Sequence, residues 1–259
     1  MNAALMVLLA WLLFAGTHLL MGLPACRDVL VRSLGEQKFV AVFSAVAAIG
    51  LAVLAATVAI YGGDGARGLA LGSVPAVHAL LAMLAFLGLS LSMAGLLNYV
   101  RSPMALFRTQ LRPAAGIERV TRHAFFMGLT LFATAHALLV PTLALCIYFV
   151  GFALLATIGA VLQDRKLLVR HGTAYRDYMA VTSLIPFAAL VQGRQAISVD
   201  DRLIRQFALS AALALLLLAL HPLWSLHHGA PFAGAMAVGG VFAAARRWHF
   251  RERSPLATD

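Results

Sequence analysis

Long apolar runs alternate with short basic connections along most of the chain. A helix needs ~20 apolar residues to cross a bilayer, and the pattern predicts spans at Asn2–Leu23, Phe39–Tyr61, Val74–Asn98, His123–Pro141, Thr142–Leu162 and Leu203–Leu220. A seventh, shorter run covers Gly229–Ala245. The second run, FVAVFSAVAAIGLAVLAATVAIY, contains no charge and no proline. Pro141 and Thr142 leave almost no connection between the fourth and fifth runs, which predicts a tight antiparallel hairpin. The expected fold class is all-α, a polytopic transmembrane helix bundle of six to seven spans. Residues 1–190 make its core, and residues 191–259 add one or two spans and a basic tail.

Charge gives the bundle a direction. Arg27, Arg32 and Lys38 follow the first span, and Arg101, Arg108, Arg112, Arg119 and Arg122 follow the third. Arg165, Lys166, Arg170, Arg176, Arg194, Arg202 and Arg205 follow the fifth, and the tail carries Arg246, Arg247, Arg251 and Arg253. Nineteen of the 20 Lys and Arg residues thus fall on one side, and Arg67 alone falls on the other. Basic loops stay in the cytoplasm, so the expected topology has seven spans, the N-terminus outside and the C-terminus cytoplasmic, in a bacterial inner membrane. No Lys or Arg precedes Arg27. A secretory signal needs a basic leading region, so the first span is expected to be retained.

Composition agrees. The chain is 62% apolar and 12% charged, with a mean hydropathy of +0.89, whereas soluble domains run at about 45–50% and about 25%. The lipid bilayer is the first partner implied. A net charge of +10 does not point to nucleic acid here, because the basic residues are dispersed between spans and form no single patch. Cys26 and Cys146 have neither metal-ligand nor redox spacing.

No Asp, Glu, Lys or Arg lies in the middle of a span, which argues against a proton relay or an ion-pair transporter core. Histidine is the exception: His18, His78 and His136 fall inside spans one, three and four, and His123 and His221 lie at span edges. A neutral imidazole ligates transition metals and haem iron without charge compensation. Such a histidine can equally be hydrogen-bonded to a carbonyl or hydroxyl of a neighbouring helix. At 1.5 Å per residue, His18 lies ~9 Å from the middle of its span toward the cytoplasm and His136 ~6 Å toward the outside. His78 is further out still, so depth pairs His78 with His136 at least as well as His18 with His136. His123 and His136 lie roughly 220° apart around a helix and do not serve one site. Trp11, Phe14 and His18 share a face, either an aromatic wall beside a cofactor or lipid-facing bulk. In span three His78, Ala82, Ala85, Ser92 and Gly95 make a mostly small stripe suited to close helix approach.

Two cytoplasmic segments stand out. Thr121-Arg122-His123-Ala124-Phe125-Phe126-Met127-Gly128 opens span four, with Thr121 the expected N-cap. Gln163-Asp164-Arg165-Lys166, then Gly172-Thr173-Ala174-Tyr175 and Thr182-Ser183-Leu184-Ile185-Pro186-Phe187, follow span five. With His18-Leu19-Leu20, Arg27, Leu34-Gly35-Glu36, Phe39, Phe43-Ser44, Ala135-His136 and His221-Pro222, this ordered set resembles the NnrU family of bacterial membrane proteins associated with denitrification. That family is similar to the 15-cis-ζ-carotene isomerases, membrane haem b enzymes whose ligating histidines match His18 and His136 by motif position. Two departures matter: Ala133 stands where the isomerases have a cysteine, and Ala124 where the family has proline.

The resemblance implies a haem b site ligated by His18 and His136, with His78, His123 and Arg122 as further cofactor-binding candidates. If the protein is an enzyme, it implies redox-dependent isomerisation of an apolar, polyene-like substrate, served by an electron donor. The cytoplasmic motifs also resemble isoprenylcysteine carboxyl methyltransferases, which hold S-adenosylmethionine with an Arg-His motif and paired glutamates. Here Gln163-Asp164 replaces the glutamates, Ala124 the proline and Phe126 the tyrosine. A non-enzymatic accessory or sensory role in nitrogen-oxide metabolism is the third reading.

Overall fold

In the computed structural model, which describes residues 2–99, 102–103, 111–196 and 201–225, helices make up nearly all regular structure among the described residues. They are α1 (Ala3–Gly22), α2 (Pro24–Leu34), α3 (Glu36–Tyr61), α4 (Pro75–Asn98), α5 (Ala124–Leu139), α6 (Leu143–His171), α7 (Thr173–Val181), α8 (Ala188–Val191), α9 (Asp201–Ala219) and α10 (His221–Ser225). Helices α1, α3, α4 and α6 are long and apolar enough to cross a membrane. Helix α5 and the stretch Leu203–Ala219 of α9 are apolar but shorter. The expected seventh run, Gly229–Ala245, lies outside the described residues.

Local chemistry sets the helix ends. The Asn2 side chain accepts from the Ala4 N–H at 3.1 Å and caps α1. Pro24 and Pro75 open α2 and α4, where their missing N–H costs nothing. Helix α5 stops at Leu139 because Val140 precedes Pro141 and takes an extended conformation, φ −69° and ψ 146°. Helix α6 runs nine residues past Leu162, where the apolar run ends, carrying Asp164 and its basic neighbours.

By compactness the chain forms two units, residues 1–68, 141–148 and 222–259, and residues 69–140 and 149–221. In the first, α1 and α3 pack together in antiparallel register: a Cβ at Gly50 would sit 3.2 Å from the Phe14 Cα, and His18 meets Phe43. Helix α2 joins them, and Arg27 ties it to Glu36 at 2.7 and 2.8 Å. The loop after α3 is stitched to the start of α6. Thr142 donates its hydroxyl to the Gly62 carbonyl at 2.6 Å, and the Leu143 N–H reaches the Ala66 carbonyl at 2.8 Å.

In the second unit α4 and α5 approach through their smallest residues. A Cβ at Gly95 would meet the Phe125 nitrogen at 2.3 Å, one at Gly128 the Ser92 nitrogen at 2.4 Å, and one at Gly88 the Phe132 nitrogen at 2.5 Å. Residues 95 and 125, 92 and 128, and 88 and 132 are therefore level on two antiparallel helices. Of the expected stripe, Ala85 and Ser92 are buried and Gly95 makes this contact, whereas His78 and Ala82 are exposed. Helix α6 runs antiparallel to α5, as the Pro141-Thr142 junction predicts: Thr130 faces Thr157 at 3.1 Å, and Phe126 packs on Gly159. Helix α9 packs on α4. Large apolar side chains point outward, including Leu12 at 61% exposed, Ile49 at 64% and Leu80 at 59%. Lipid, and not water, is the solvent that such a surface fits.

Candidate functional site

His136 sits one turn before the end of α5. Its Nδ1 lies 2.9 Å from the Phe132 carbonyl oxygen, four residues back. A carbonyl only accepts, so Nδ1 carries the proton and the lone pair is on Nε2. The ring lies against Phe132 at 4.2 Å and Phe149 of α6 at 4.9 Å. The surroundings are aromatic and apolar, and the Nδ1 bond fixes both tautomer and orientation, as an outer hydrogen bond does for a metal-ligating histidine. The His221 ring, at the start of α10, stands 6.4 Å from it.

His18 belongs to the first unit. Its ring lies between Phe14 at 5.7 Å and Phe43 at 5.0 Å. Its Nδ1 is buried and has no hydrogen-bond partner among the described residues. An orphaned imidazole nitrogen in an apolar site is a vacant ligand position or an uncompensated cost. Trp11 and Phe14 on the same face are 5% and 6% exposed, so the aromatic stripe is an interior wall and not lipid-facing bulk. His78 is exposed on the first turn of α4, next to Gly72. By the α4–α5 register His136 is level with Leu84, six residues further along. Among the described residues no group of three or more His, Cys, Asp and Glu side chains could hold a metal ion. His136 and His18 each offer a single imidazole, a ligand type that haem iron takes.

The Arg122-His123 pair has a different setting. Asp164, two turns before the end of α6, accepts from Arg122 Nε at 3.0 Å and Nη2 at 2.6 Å. It meets His123 Nε2 at 2.5 Å and accepts from the Tyr175 hydroxyl at 2.6 Å. His123 and Tyr175 are each 1% exposed. Gly172, at φ 56°, makes the turn that α6 needs to hand over to α7, which brings Tyr175 back to Asp164. Backbone bonds close the cluster: the Arg122 N–H donates to the Ser183 carbonyl at 3.0 Å, and the Phe187 N–H to the Val120 carbonyl at 2.8 Å. Thr121 does not cap α5 as expected, because His123 takes the cap position. The Thr121 hydroxyl instead donates to the Leu184 carbonyl at 2.6 Å and accepts from the His123 N–H at 3.3 Å.

A second polar knot lies between α4 and α5. Glu118, 2% exposed, accepts from Asn98 Nδ2 at 2.7 Å and Arg112 Nη2 at 2.6 Å. Gln206 of α9 donates to the Asn98 side chain at 3.0 Å and accepts from the Ile117 N–H at 3.3 Å. Burial raises the Glu118 carboxyl above its ordinary value, and the Arg112 charge opposes that without cancelling it. Sequence reasoning missed Asp164 and Tyr175 as the partners of Arg122 and His123, and it missed Glu118 altogether. The only signal was a carboxylate among many basic residues.

Comparison with known proteins follows the same outline. The sequence profile described as NnrU protein matches residues 6–228. The chain is 29% identical over 203 residues, 75% of its length and 52% of the other's, to a protein named 15-cis-zeta-carotene isomerase, chloroplastic, from Arabidopsis thaliana. It is 36% identical over 85 residues, 33% of its length and 23% of the other's, to the protein of that name from Zea mays. The chain spans about half the length, or less, of these curated relatives. No solved structure matches.

Proposed function

The chain belongs to the NnrU family, and from that membership and the setting of His136 we propose that it is a haem b membrane protein with isomerase activity on an apolar, polyene-like substrate. The observation that carries the reading is the Nδ1 bond of His136 to the Phe132 carbonyl, which leaves Nε2 as a neutral donor among aromatic rings. His18 is the second ligand that the motifs assign, and its orphaned Nδ1 fits a residue waiting for a ligand. The relatives named as 15-cis-zeta-carotene isomerases supply the reaction class. Bound haem, when reduced, would lend electron density to a conjugated double bond and lower its barrier to rotation.

The chain's own residues do the rest. Phe132 and Phe149 exclude water from the His136 side of the site and offer flat surfaces to a flat apolar molecule. An isomerisation consumes no electrons overall, so the electron donor only sets the oxidation state. The bundle spans the bacterial inner membrane seven times with the N-terminus outside, as supported by nineteen of 20 Lys and Arg residues on one side. Residues 1–190 are its NnrU-like core and residues 191–259 an added segment.

The test is the absorption spectrum of purified full-length protein, oxidised and reduced. A Soret band with sharp reduced α and β bands, lost in His136→Ala, is expected. A colourless preparation from haem-replete cells overturns the reading. Orientation is tested by single cysteines: one near Gly63 should react with a membrane-impermeant thiol reagent in intact cells and one near Arg194 should not, and the reverse pattern inverts the topology.

A further inference from the structure

We propose that residues 184–191 are an interfacial anchor, through which Ile185, Phe187 and Val191 enter the phospholipid leaflet at the charged end of the α5–α6 pair. The segment is inside out for a loop in water. Its large apolar side chains point outward, with Ile185 67% exposed, Phe187 57% and Val191 87%, while Thr182, Ser183 and Ala189 are buried. Apolar groups outside and hydroxyls inside suit an apolar solvent. The inference goes beyond the haem reading and needs only that α5 and α6 lie in a bilayer.

The height of the segment follows from its bonds to the start of α5. Asp164 holds both Arg122 and His123, so the apolar runs of α5 and α6 end level with one another. The three residues before His123 then pin the segment at that level. The Val120 carbonyl accepts from the Phe187 N–H at 2.8 Å, the Thr121 hydroxyl donates to the Leu184 carbonyl at 2.6 Å, and the Arg122 N–H donates to the Ser183 carbonyl at 3.0 Å. The first charge beside an apolar run marks the headgroup layer. Aromatic and apolar side chains displayed there meet the acyl boundary.

Phe187 is held against its own preference. Its φ of 66° and ψ of −10° lie in the left-handed region, which costs any residue with a Cβ. The strain does not bury the ring, which stays more exposed than covered; insertion into lipid is the compensation that the geometry offers. Ser183 Oγ accepts from the Ala189 N–H at 3.0 Å, and the Phe187 carbonyl accepts from the Leu190 and Val191 N–H groups at 3.0 Å each, which sets Val191 one turn from Phe187. Charge agrees. Between Asp177 and Asp200 the chain has no acidic side chain and one basic one, Arg194, whose guanidinium donates to the Ala180 and Thr182 carbonyls. An acid-free surface suits the anionic leaflet that basic loops face.

The test places single spin labels in full-length protein in which Cys26 and Cys146 are replaced by serine, reconstituted in vesicles of phosphatidylcholine and phosphatidylglycerol. Labels at Ile185→Cys, Phe187→Cys and Val191→Cys should relax with oxygen and resist the water-soluble chelate Ni-EDDA. The control Leu80→Cys, on the outward face of α4, should behave in the same way. Phe187→Gly keeps the left-handed turn without strain, and in that background the Ile185→Cys label should become severalfold more accessible to the chelate. Chelate access at all three positions, with Leu80→Cys still shielded, overturns the anchor and leaves the membrane reading intact. Spin–spin broadening at the three positions would mean that a second copy covers this face, and it overturns the anchor too. Chelate access at Leu80→Cys as well removes the bilayer from the reading, and both fall.

Discussion

Tyr175 donates its hydroxyl to Oδ1 of Asp164 across 2.6 Å, and so closes a cluster in which one carboxylate serves a tyrosine, an arginine and a histidine. Three segments of the second unit converge on it: Arg122 and His123 from the start of α5, Asp164 from the end of α6, and Tyr175 from α7. The arrangement is a structural clasp. Taking the carboxylate away leaves the buried Arg122 guanidinium without its anion and deprives His123 and Tyr175 of an acceptor, whereas replacing Arg122 and Asp164 together with apolar groups removes the uncompensated charge.

Asp164→Ala is therefore expected to lower unfolding stability in detergent by about 3–5 kcal/mol. Tyr175→Phe, which removes one hydrogen bond and no charge, should cost roughly 1–2 kcal/mol. The double variant Arg122→Met with Asp164→Leu should lie well above Asp164→Ala in a denaturant or thermal titration. Equal losses for the single and double variants would mean that the ion pair is not the source of the effect.

Four of the expected spans were legible as helices long enough to cross, because lipid leaves only one economical secondary structure and an apolar run of sufficient length reports a helix. Phe39–Tyr61 and Val74–Asn98 fall within a few residues of α3 and α4. The ends of α6 were not legible at Leu162, because a helix that leaves the bilayer need not stop where its apolar run stops. Asp164 shows the limit most clearly. In sequence it is one acid beside Arg165 and Lys166, yet in space its partners are Arg122, forty-two residues earlier, and Tyr175. The His136–His221 ring contact was hidden for the same reason, because periodicity describes one helix and says nothing of which rings meet across two.

Helix contact through glycine gives a second expectation. Gly95→Ala puts a methyl group 2.3 Å from the Phe125 nitrogen, and Gly128→Ala puts one 2.4 Å from the Ser92 nitrogen. In both cases the obstacle is backbone, which cannot rotate aside. Each should destabilise by about 1–3 kcal/mol through overpacking. Gly16→Ala, with nothing within 4 Å, should be neutral or slightly stabilising, since alanine is the better helix former. Steady-state level in membranes and melting temperature in detergent rank the three; a Gly16→Ala loss as large as that of Gly95→Ala contradicts the close packing of α4 and α5.

Glu118 gives the fold a pH dependence of known sign. Burial raises its carboxyl above the ordinary value of 4.5, against the opposing Arg112 charge. A group whose folded value is raised contributes stability that is fully present below its unfolded value and is lost as pH rises through the folded one. Wild-type stability should therefore fall relative to Glu118→Gln as pH rises from below 4.5. Glutamine cannot ionise, so the variant lacks this slope, although it leaves Arg112 without its anion and is offset at every pH. The measurement is unfolding stability of both proteins at several pH values on either side of the ordinary carboxylate range. A difference that is flat, or that rises in favour of the wild type, refutes the raised value.

The same geometry speaks to methyl transfer. In the methyltransferase resemblance, Arg122 and His123 would face a cofactor at the cytoplasmic surface, and acidic side chains at 163 and 164 would meet its positive sulfonium. Here Arg122 and His123 are both turned onto Asp164, His123 is 1% exposed, and position 163 is glutamine. The carboxylate at position 164 already has three donors from its own chain. Releasing it would cost the clasp described above, several times the gain from one ion pair in a wet site. Isothermal calorimetry with S-adenosylmethionine, up to near-millimolar ligand on the purified full-length protein, should detect no binding. Asp164→Asn should not create binding, since it removes the carboxylate that would meet the sulfonium. Micromolar binding to the wild type that is abolished by Arg122→Ala and His123→Ala would reverse this, and would mean that the clasp opens for a ligand.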